Sequence, residues 1–258
     1  MTVPTAMVFV WGNTSPRVAV RGFPSHLSCR HFLGNRDLLI DFALTTSYMG
    51  HIKGDECYQK GEVLWDKGAP APAMKQYLAR HAVGGRALVP ICGRRHEVAL
   101  AVEHGLDATG LDIASTAVAE ARRLYPHLAE RFVTGSLFDP PEEMRGTYDV
   151  VLEHTCMSGL PPTLRVDYRR GIDLTLRRGG LLIGVGFINP TLDPCKEGPP
   201  LPFSLANLTA LFAEGYDIVE DYVPDVAFPG REGRERVRAT PSGAMRDDCA
   251  TTSSRTTI

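Results

Sequence analysis

The chain is poor in the features that mark several large protein classes. Its six cysteines in 258 residues (Cys29, Cys57, Cys92, Cys156, Cys195, Cys249) form no CxxC pair and no Cys/His cluster. That spacing offers neither a disulfide framework nor a metal site, and it suits a reducing compartment; a cytoplasmic protein without metal is expected. No apolar run approaches the ~20 residues needed to span a bilayer, so no membrane partner is expected. The formal net charge is only −2, without the basic excess that neutralises nucleic-acid phosphates, so no nucleic-acid partner is expected either. Acids are missing altogether from residues 1–36, which carry Arg17, Arg21, Arg30 and Arg36. An Arg-rich, acid-poor start resembles an organelle transit peptide, but Pro4, Gly12, Pro16, Gly22 and Pro24 interrupt any long amphipathic helix. Residues 1–48 are therefore expected to be a poorly ordered extension, with Met49 as an alternative start. Residues 239–258, rich in Ser and Thr, are expected to be a disordered tail. Hydrophobic residues make up 43% of the chain, enough for one buried core, and a single monomeric domain over 49–238 is expected.

The stretch Arg86–Ser115 (RALVPICGRRHEVALAVEHGLDATGLDIAS) carries the most information. Ala87-Leu88-Val89 is a short buried-strand run ending at Pro90-Ile91-Cys92, and Gly93 lets the backbone turn without a Cβ. A helix follows from Glu97 to His104. A second strand, Ala108–Ile113, brings Asp112 to its carboxyl end 19 residues after Gly93. Such a turn and acid share one edge of an open α/β sheet, where the carboxylate accepts the hydroxyl protons of a ribose. Pro90 fits only if the strand ends there, since it removes a ladder donor.

Two cofactor classes use this layout. Dinucleotide enzymes need G-x-G-x-x-G so that a helix N-terminus can approach a pyrophosphate. Here the window is Ile91-Cys92-Gly93-Arg94-Arg95-His96, with one glycine, and Ile91 and His96 would obstruct a pyrophosphate. S-adenosylmethionine carries ribose and adenine but no phosphate, so a single glycine suffices. It is the expected cofactor.

Downstream, strands and helices alternate. Ser115 reads as the cap of a helix reaching Leu124, and Phe132–Gly135 as a third strand. Tyr148–Thr155 reads as a fourth strand, Pro162–Leu176 as a helix stopped at Gly179-Gly180, and Leu181–Phe187 as a fifth strand. Ser204–Ala213 is a serine-capped helix and Tyr216–Val223 a sixth strand. This alternation predicts an α/β, doubly wound, Rossmann-like sheet, mostly parallel with helices on both faces. Gly93, Asp112, Asp139, Glu153, His154 and Phe187 should face one crevice at the carboxyl edge.

Leu88-Val89-Pro90-Ile91-Cys92-Gly93-Arg94, followed by Glu97, resembles the first motif of the thiopurine S-methyltransferase family, which includes halide and thiol methyltransferases. Trp65-Asp66-Lys67-Gly68 with Pro70 and Pro72, Gly110–Ala114, Gly135–Asp139, and Tyr148–Thr155 followed by Pro161, Pro162 and Arg165 continue the match, over about residues 63–235. The resemblance implies that Trp65 closes over the cofactor. Gly93 would sit beneath its amino-acid portion, with Pro90, Ile91 and Cys92 lining the same turn. Asp112 would hold the ribose and Ile113 pack on adenine, with Ser136, Leu137 and Phe138 flanking the ring. Glu153 and His154 would lie near the sulfonium, with Thr155, Arg165 and Phe187 on the acceptor side. The final strand, expected near Arg231–Arg238, is more charged than the family's usual one. The segment ahead of Trp65 lacks its usual aromatic pattern.

The implied reaction is methyl transfer to a small-molecule thiol, thiopurine, selenium compound or halide. A thiolate or iodide needs no general base, whereas a catechol or amine does, and no His-Asp pair is visible in the sequence. Alternatives are an O- or N-methyltransferase with His154 or Glu153 as base, and a methyltransferase fold without turnover. Cys156 reads as a small core residue and Arg94 and Arg95 as surface charge. No residue is singled out as a catalyst.

Overall fold

The computed structural model describes residues 8–10, 17–19, 54–63, 65–94, 96–192 and 199–243. The chain divides into two compact units, Met1–Leu44 and Thr45–Ile258. In the first, β1 (Val8–Val10) pairs antiparallel with β2 (Arg17–Ala19). The rest of the expected 1–48 extension and the part of the expected 239–258 tail beyond residue 243 lie outside the described residues; residues 239–241 are not disordered but end the last strand, with Ala239 and Thr240 buried.

The second unit is built on a seven-stranded sheet. Its strands are β3 (Arg86–Pro90), β4 (Asp107–Asp112), β5 (Phe132–Thr134), β6 (Tyr148–His154), β7 (Leu176–Phe187), β8 (Glu220–Tyr222) and β9 (Glu235–Pro241). They lie in the order β5-β4-β3-β6-β7-β9-β8. The first five are mutually parallel, and β9 runs antiparallel between β7 and β8. The helices are α1 (residues 54–60), α2 (Pro72–Arg80), α3 (His96–Glu103), α4 (Ser115–Leu124), α5 (Cys156–Gly159), α6 (Arg165–Thr175) and α7 (Leu205–Leu211).

Strand alternation sends side chains to two cores. Val89, Val150, Leu152, Ile183 and Val237 pack with Met74 of α2, Val98 of α3 and Val118 of α4. Leu88, Leu111, Val151 and Leu182 pack with Met157 of α5, Tyr168 and Ile172 of α6 and Leu208 of α7. The sheet is thus doubly wound, as the alternation predicts. The chain leaves β3 toward β4 and β5, then returns to place β6 on the other side. The switch point therefore falls between β3 and β6, where a ligand crevice is expected.

The structure corrects several sequence-based boundaries. Ser115 does not cap α4; Ala114 occupies the cap position without a side-chain bond, and Asp112 Oδ1 accepts the Ala114 N–H at 2.8 Å. The Gly179-Gly180 pair does not end a helix but lies inside β7, opposite a register shift at Tyr148/Val150. The sixth strand shrinks to Glu220–Tyr222, because Ile218 and Val219 are solvent-facing.

The charged final strand is intact. In β9, Val237 and Ala239 enter the core while Arg236 and Arg238 both bond Asp221. That pairing lets an arginine sit inside a sheet layer, since a buried charge needs a partner.

Candidate active site

The β3–α3 turn is held from three sides. Pro90 ends the strand, paired with Leu111 of β4, so its missing N–H costs no bond beyond the turn. Ile91 and Gly93 have φ of 48° and 50°; glycine tolerates that region, whereas isoleucine pays for it. Between them the Cys92 N–H donates to Leu111 O at 3.2 Å. The Cys92 thiol is buried, and burial pushes its pKa well up, so it fills space rather than reacts. A Cβ at Gly93 would stand 2.7 Å from Tyr58 Oη, which explains the one glycine on a second ground.

Asp112 ends β4 almost fully buried. Its Oδ2 accepts the Gly93 N–H and its Oδ1 the Ala114 N–H, each at 2.8 Å. Each carboxylate oxygen accepts more than one bond, so the group ties the turn to α4 and keeps capacity for hydroxyl protons. Ile113 beside it is half-buried. On β5's side, Ser136 Oγ accepts the Phe138 N–H at 3.2 Å. Leu137 belongs to the core under α6, and half-buried Phe138 packs against the same cluster. Asp139 is exposed and bonds Arg145.

Residues that the sequence leaves unremarked build the outer wall. Tyr58 of α1 lies over Gly93, and Trp65 donates its Nε1–H to Tyr58 Oη at 3.2 Å. Burial, then the Asp112 charge, raises the Tyr58 pKa, keeping the hydroxyl protonated. Trp65 is 42% exposed, free to cover a ligand rather than locked in the core. Asp66 next to it accepts from His96 Nε2 at 2.9 Å and from Arg94 Nη1 at 3.2 Å. Burial works against the Asp66 carboxylate, but the Gly68 N–H, His96 and Arg94 hold its pKa below the usual range. Arg94 also bonds Glu120. The turn's cation thus straps the Trp65 segment in place instead of standing as loose surface charge. No residue spacing reveals that strap, because its members lie 28 and 30 positions apart.

The carboxyl end of β6 divides its two ionisable residues between opposite faces. Glu153 is 1% exposed, and its Oε1 accepts the Cys156 N–H at 2.7 Å and the Met157 N–H at 3.4 Å. It caps α5 from below and shares a cavity of about 10 Å³ with Met157, Leu182 and Arg238. The structure therefore corrects the sequence-based expectation that it meets the cofactor. Burial drives its pKa to about 7, against the opposing pull of His154 and the α5 N–H groups.

His154 faces the other way, with Nδ1 2.8 Å from Glu97 Oε1. Glu97 also accepts the Ala71 N–H at 3.1 Å. This His–carboxylate pair spans β6 and α3 and is invisible in the linear sequence. Burial alone would lower the His154 pKa, yet the Glu97 carboxylate outweighs it and holds it above the ordinary value.

Thr155 adopts φ 57° and starts α5, placing Cys156 Sγ 3.8 Å from Pro90 O. Burial pushes the Cys156 thiol well up, consistent with a packing residue. Arg165 is also corrected. It is buried, its Nε donates to Met157 O (2.9 Å) and Leu160 O (3.2 Å), and its Nη2 donates to Pro202 O (2.9 Å). Its cation lies over Phe203. It ties loops together rather than receiving an acceptor. Phe187, at the end of β7, lies under Arg231. A cleft of about 440 Å³ opens beside it, lined by Ile188, Asn189, Leu205, Val223, Arg234 and Glu235.

The model of one methyltransferase family, thiopurine S-methyltransferase, matches residues 52–243. The chain belongs to that family. As a thiopurine S-methyltransferase family member it is an S-adenosylmethionine-dependent methyltransferase. Among relatives it is 25% identical to the probable thiol methyltransferase 2 of Arabidopsis thaliana, covering 71% of this chain and 81% of that one. It is 26% identical to the 2-heptyl-1-hydroxyquinolin-4(1H)-one methyltransferase of Mycobacteroides abscessus, covering 66% and 74%. The fold matches the 1,6-didemethyltoxoflavin-N1-methyltransferase of Burkholderia thailandensis with a TM-score of 0.60 at 20% identity, over 77% of this chain and 90% of that one.

The turn fits this cofactor, since Gly93 is held at φ 50° beside the buried Asp112 carboxylate, which accepts its N–H. Asp112, the turn Pro90–Gly93, Ile113, Phe138 and Trp65 are the residues that would hold it. Bound there, S-adenosylmethionine supplies a methyl group already activated on a sulfonium.

Proposed function

We propose that this methyltransferase acts on a small sulfur acceptor, with selenium compounds and halides as lesser members of the same soft class. The observation that carries the reading is the wall beyond β6 and β7. Phe187, Ile188 and Phe228 form it, all buried, and Arg231 is stacked on two of these rings and paired with Glu235. Such a wall favours a polarizable, weakly hydrated nucleophile and keeps water from the transfer line. Alignment of that kind is worth roughly 7–11 kcal/mol of barrier in favourable systems. Relatives named as thiol, thiocyanate and thiopurine S-methyltransferases support it.

The test is transfer of radiolabelled methyl from S-adenosylmethionine to a panel of thiols, thiopurines, selenite, thiocyanate and halides. Labelled thioethers should dominate. Transfer confined to hydroxyl or amine acceptors would sink the sulfur assignment.

A further inference from the structure

The Glu97–His154 pair is a buried polar cluster that joins α3 to the end of β6. Glu97 comes from the first turn of α3 and is fixed by the Ala71 N–H, so its Oε1 holds the imidazole through Nδ1 at 2.8 Å. The other ring nitrogen, Nε2, is buried and has no hydrogen-bond partner among the described residues. Glu235 Oε2 is likewise buried and unpartnered. A buried polar atom left unpaired costs free energy, commonly about 1–3 kcal/mol, so such atoms often mark a place where a ligand completes the bonding.

Position supports that reading. His154 ends β6 beside the switch point, and its ring lies 6.0 Å from that of Phe228 on the acceptor side. Glu235, whose charge acts on His154, also lines the 440 Å³ cleft. The charged groups acting on the imidazole are Glu97 from α3, Glu235 and Arg231 from the start of β9 and the segment before it, and, from the opposite face of its own strand, Glu153. Arg231 is partly neutralised by Glu235, at 3.4 Å.

A carboxylate orienting one imidazole nitrogen and leaving the other free is the arrangement of a general base. We propose that His154, oriented by Glu97, accepts the proton of a protic acceptor through Nε2, so that the enzyme is built for thiols that arrive as S–H rather than for anions. This rests on the sulfur-acceptor reading above. In the step, the S–H proton passes to Nε2 and the acceptor sulfur bonds the methyl carbon. The carbon–sulfonium bond breaks, leaving a thioether and S-adenosylhomocysteine, and the imidazolium then yields its proton to water. His154 is the catalytic residue of this scheme and Glu97 a positioning residue.

Two measurements decide it. The first is kcat/KM against pH for an alkyl thiol, a series of increasingly acidic aryl thiols, and thiocyanate, in wild type and His154→Gln. The alkyl thiol should show a limb rising with pH that the thiocyanate profile lacks. The substitution should lower the thiol-to-thiocyanate rate ratio at least ~10-fold, about 1.4 kcal/mol of barrier, and the loss should shrink as the aryl thiol becomes more acidic. An unchanged ratio, or an equal loss at every acidity, overturns the proposal in favour of a packing role.

The second measurement is independent of turnover. NMR titration of the His154 imidazole, assigned by its disappearance in His154→Gln, should give a pKa above 6.5 that falls in Glu97→Gln. An imidazole indifferent to Glu97 overturns the proposal, including in protein that methylates nothing. Failure of every sulfur acceptor, with the imidazole titrating as expected, instead overturns the sulfur assignment. Calorimetric binding of S-adenosylhomocysteine confirms that each variant is folded, and His154→Asn replaces His154→Gln if that variant is not.

Discussion

Gly93 donates its backbone N–H to Oδ2 of Asp112 at 2.8 Å, across 19 residues of sequence. One carboxylate therefore sets both the shape of the turn and the start of α4 before any ligand arrives. Affinity gained this way comes from avoided reorganisation rather than from extra contact area.

Asp112→Ala removes the carboxylate proposed to hold the ribose and both backbone ties. Affinity for S-adenosylhomocysteine, measured calorimetrically, should fall at least ~10-fold, about 1.4 kcal/mol. Undiminished affinity would place the ribose-holding acid elsewhere.

Gly171 lets α6 touch the loop over residues 136–139. A Cβ there would sit 2.1 Å from the Leu137 carbonyl oxygen, a backbone atom that cannot swing aside. Gly171→Ala should lower stability by about 1–3 kcal/mol or more, as overpacking does. That shifts the thermal midpoint by roughly 2–4 °C per kcal/mol in a chain of this size. An unshifted melt would mean the helix stands farther off.

Glu153 gives a pH dependence whose sign can be worked out. Its folded pKa, about 7, exceeds the ordinary 4.5, so between those values the folded state holds a proton that the unfolded chain has lost. Stability from this group is therefore full below about pH 4.5 and declines as pH rises toward 7. Glu153→Gln keeps an oxygen for the Cys156 and Met157 N–H groups and cannot ionise. Its melting temperature should match wild type near pH 5 and exceed it by several degrees at pH 8. Parallel curves at both pH values would refute the buried-acid account.

Arg165 separates scaffold from site. Arg165→Ala strands three carbonyl acceptors, and loss of a charged hydrogen-bonding group commonly costs about 1.5–3 kcal/mol. The melting temperature should fall while the acceptor KM of the folded protein changes little. A selective rise in KM with an unchanged melt would restore it to the acceptor side.

The sheet was legible in the sequence because its central strands are short apolar runs closed by glycine, proline or acid, as at Leu88–Gly93 and Ala108–Asp112. The Gly93 turn was legible for the same reason, since one glycine and one acid at a fixed separation lie within a single strand–helix–strand unit. The rest depended on distance in the chain. Tyr58 on Gly93, Asp66 on His96 and Glu97 on His154 are each joined only by folding, and no local period marks them. Arg238 misled in the opposite sense, because a charged strand looks unfit for a sheet until Asp221, 17 residues earlier, neutralises it. Glu153 and His154 are neighbours in sequence, yet strand alternation sends one into each core, so adjacency could not assign their roles.

Asp66 grips both Arg94 and His96 while Tyr58 rests on Gly93, so the first helix and its connector act as a clasp on the turn. Cutting the backbone between residues 61 and 66 would open that clasp and loosen the Gly93 turn, yet leave all seven strands paired.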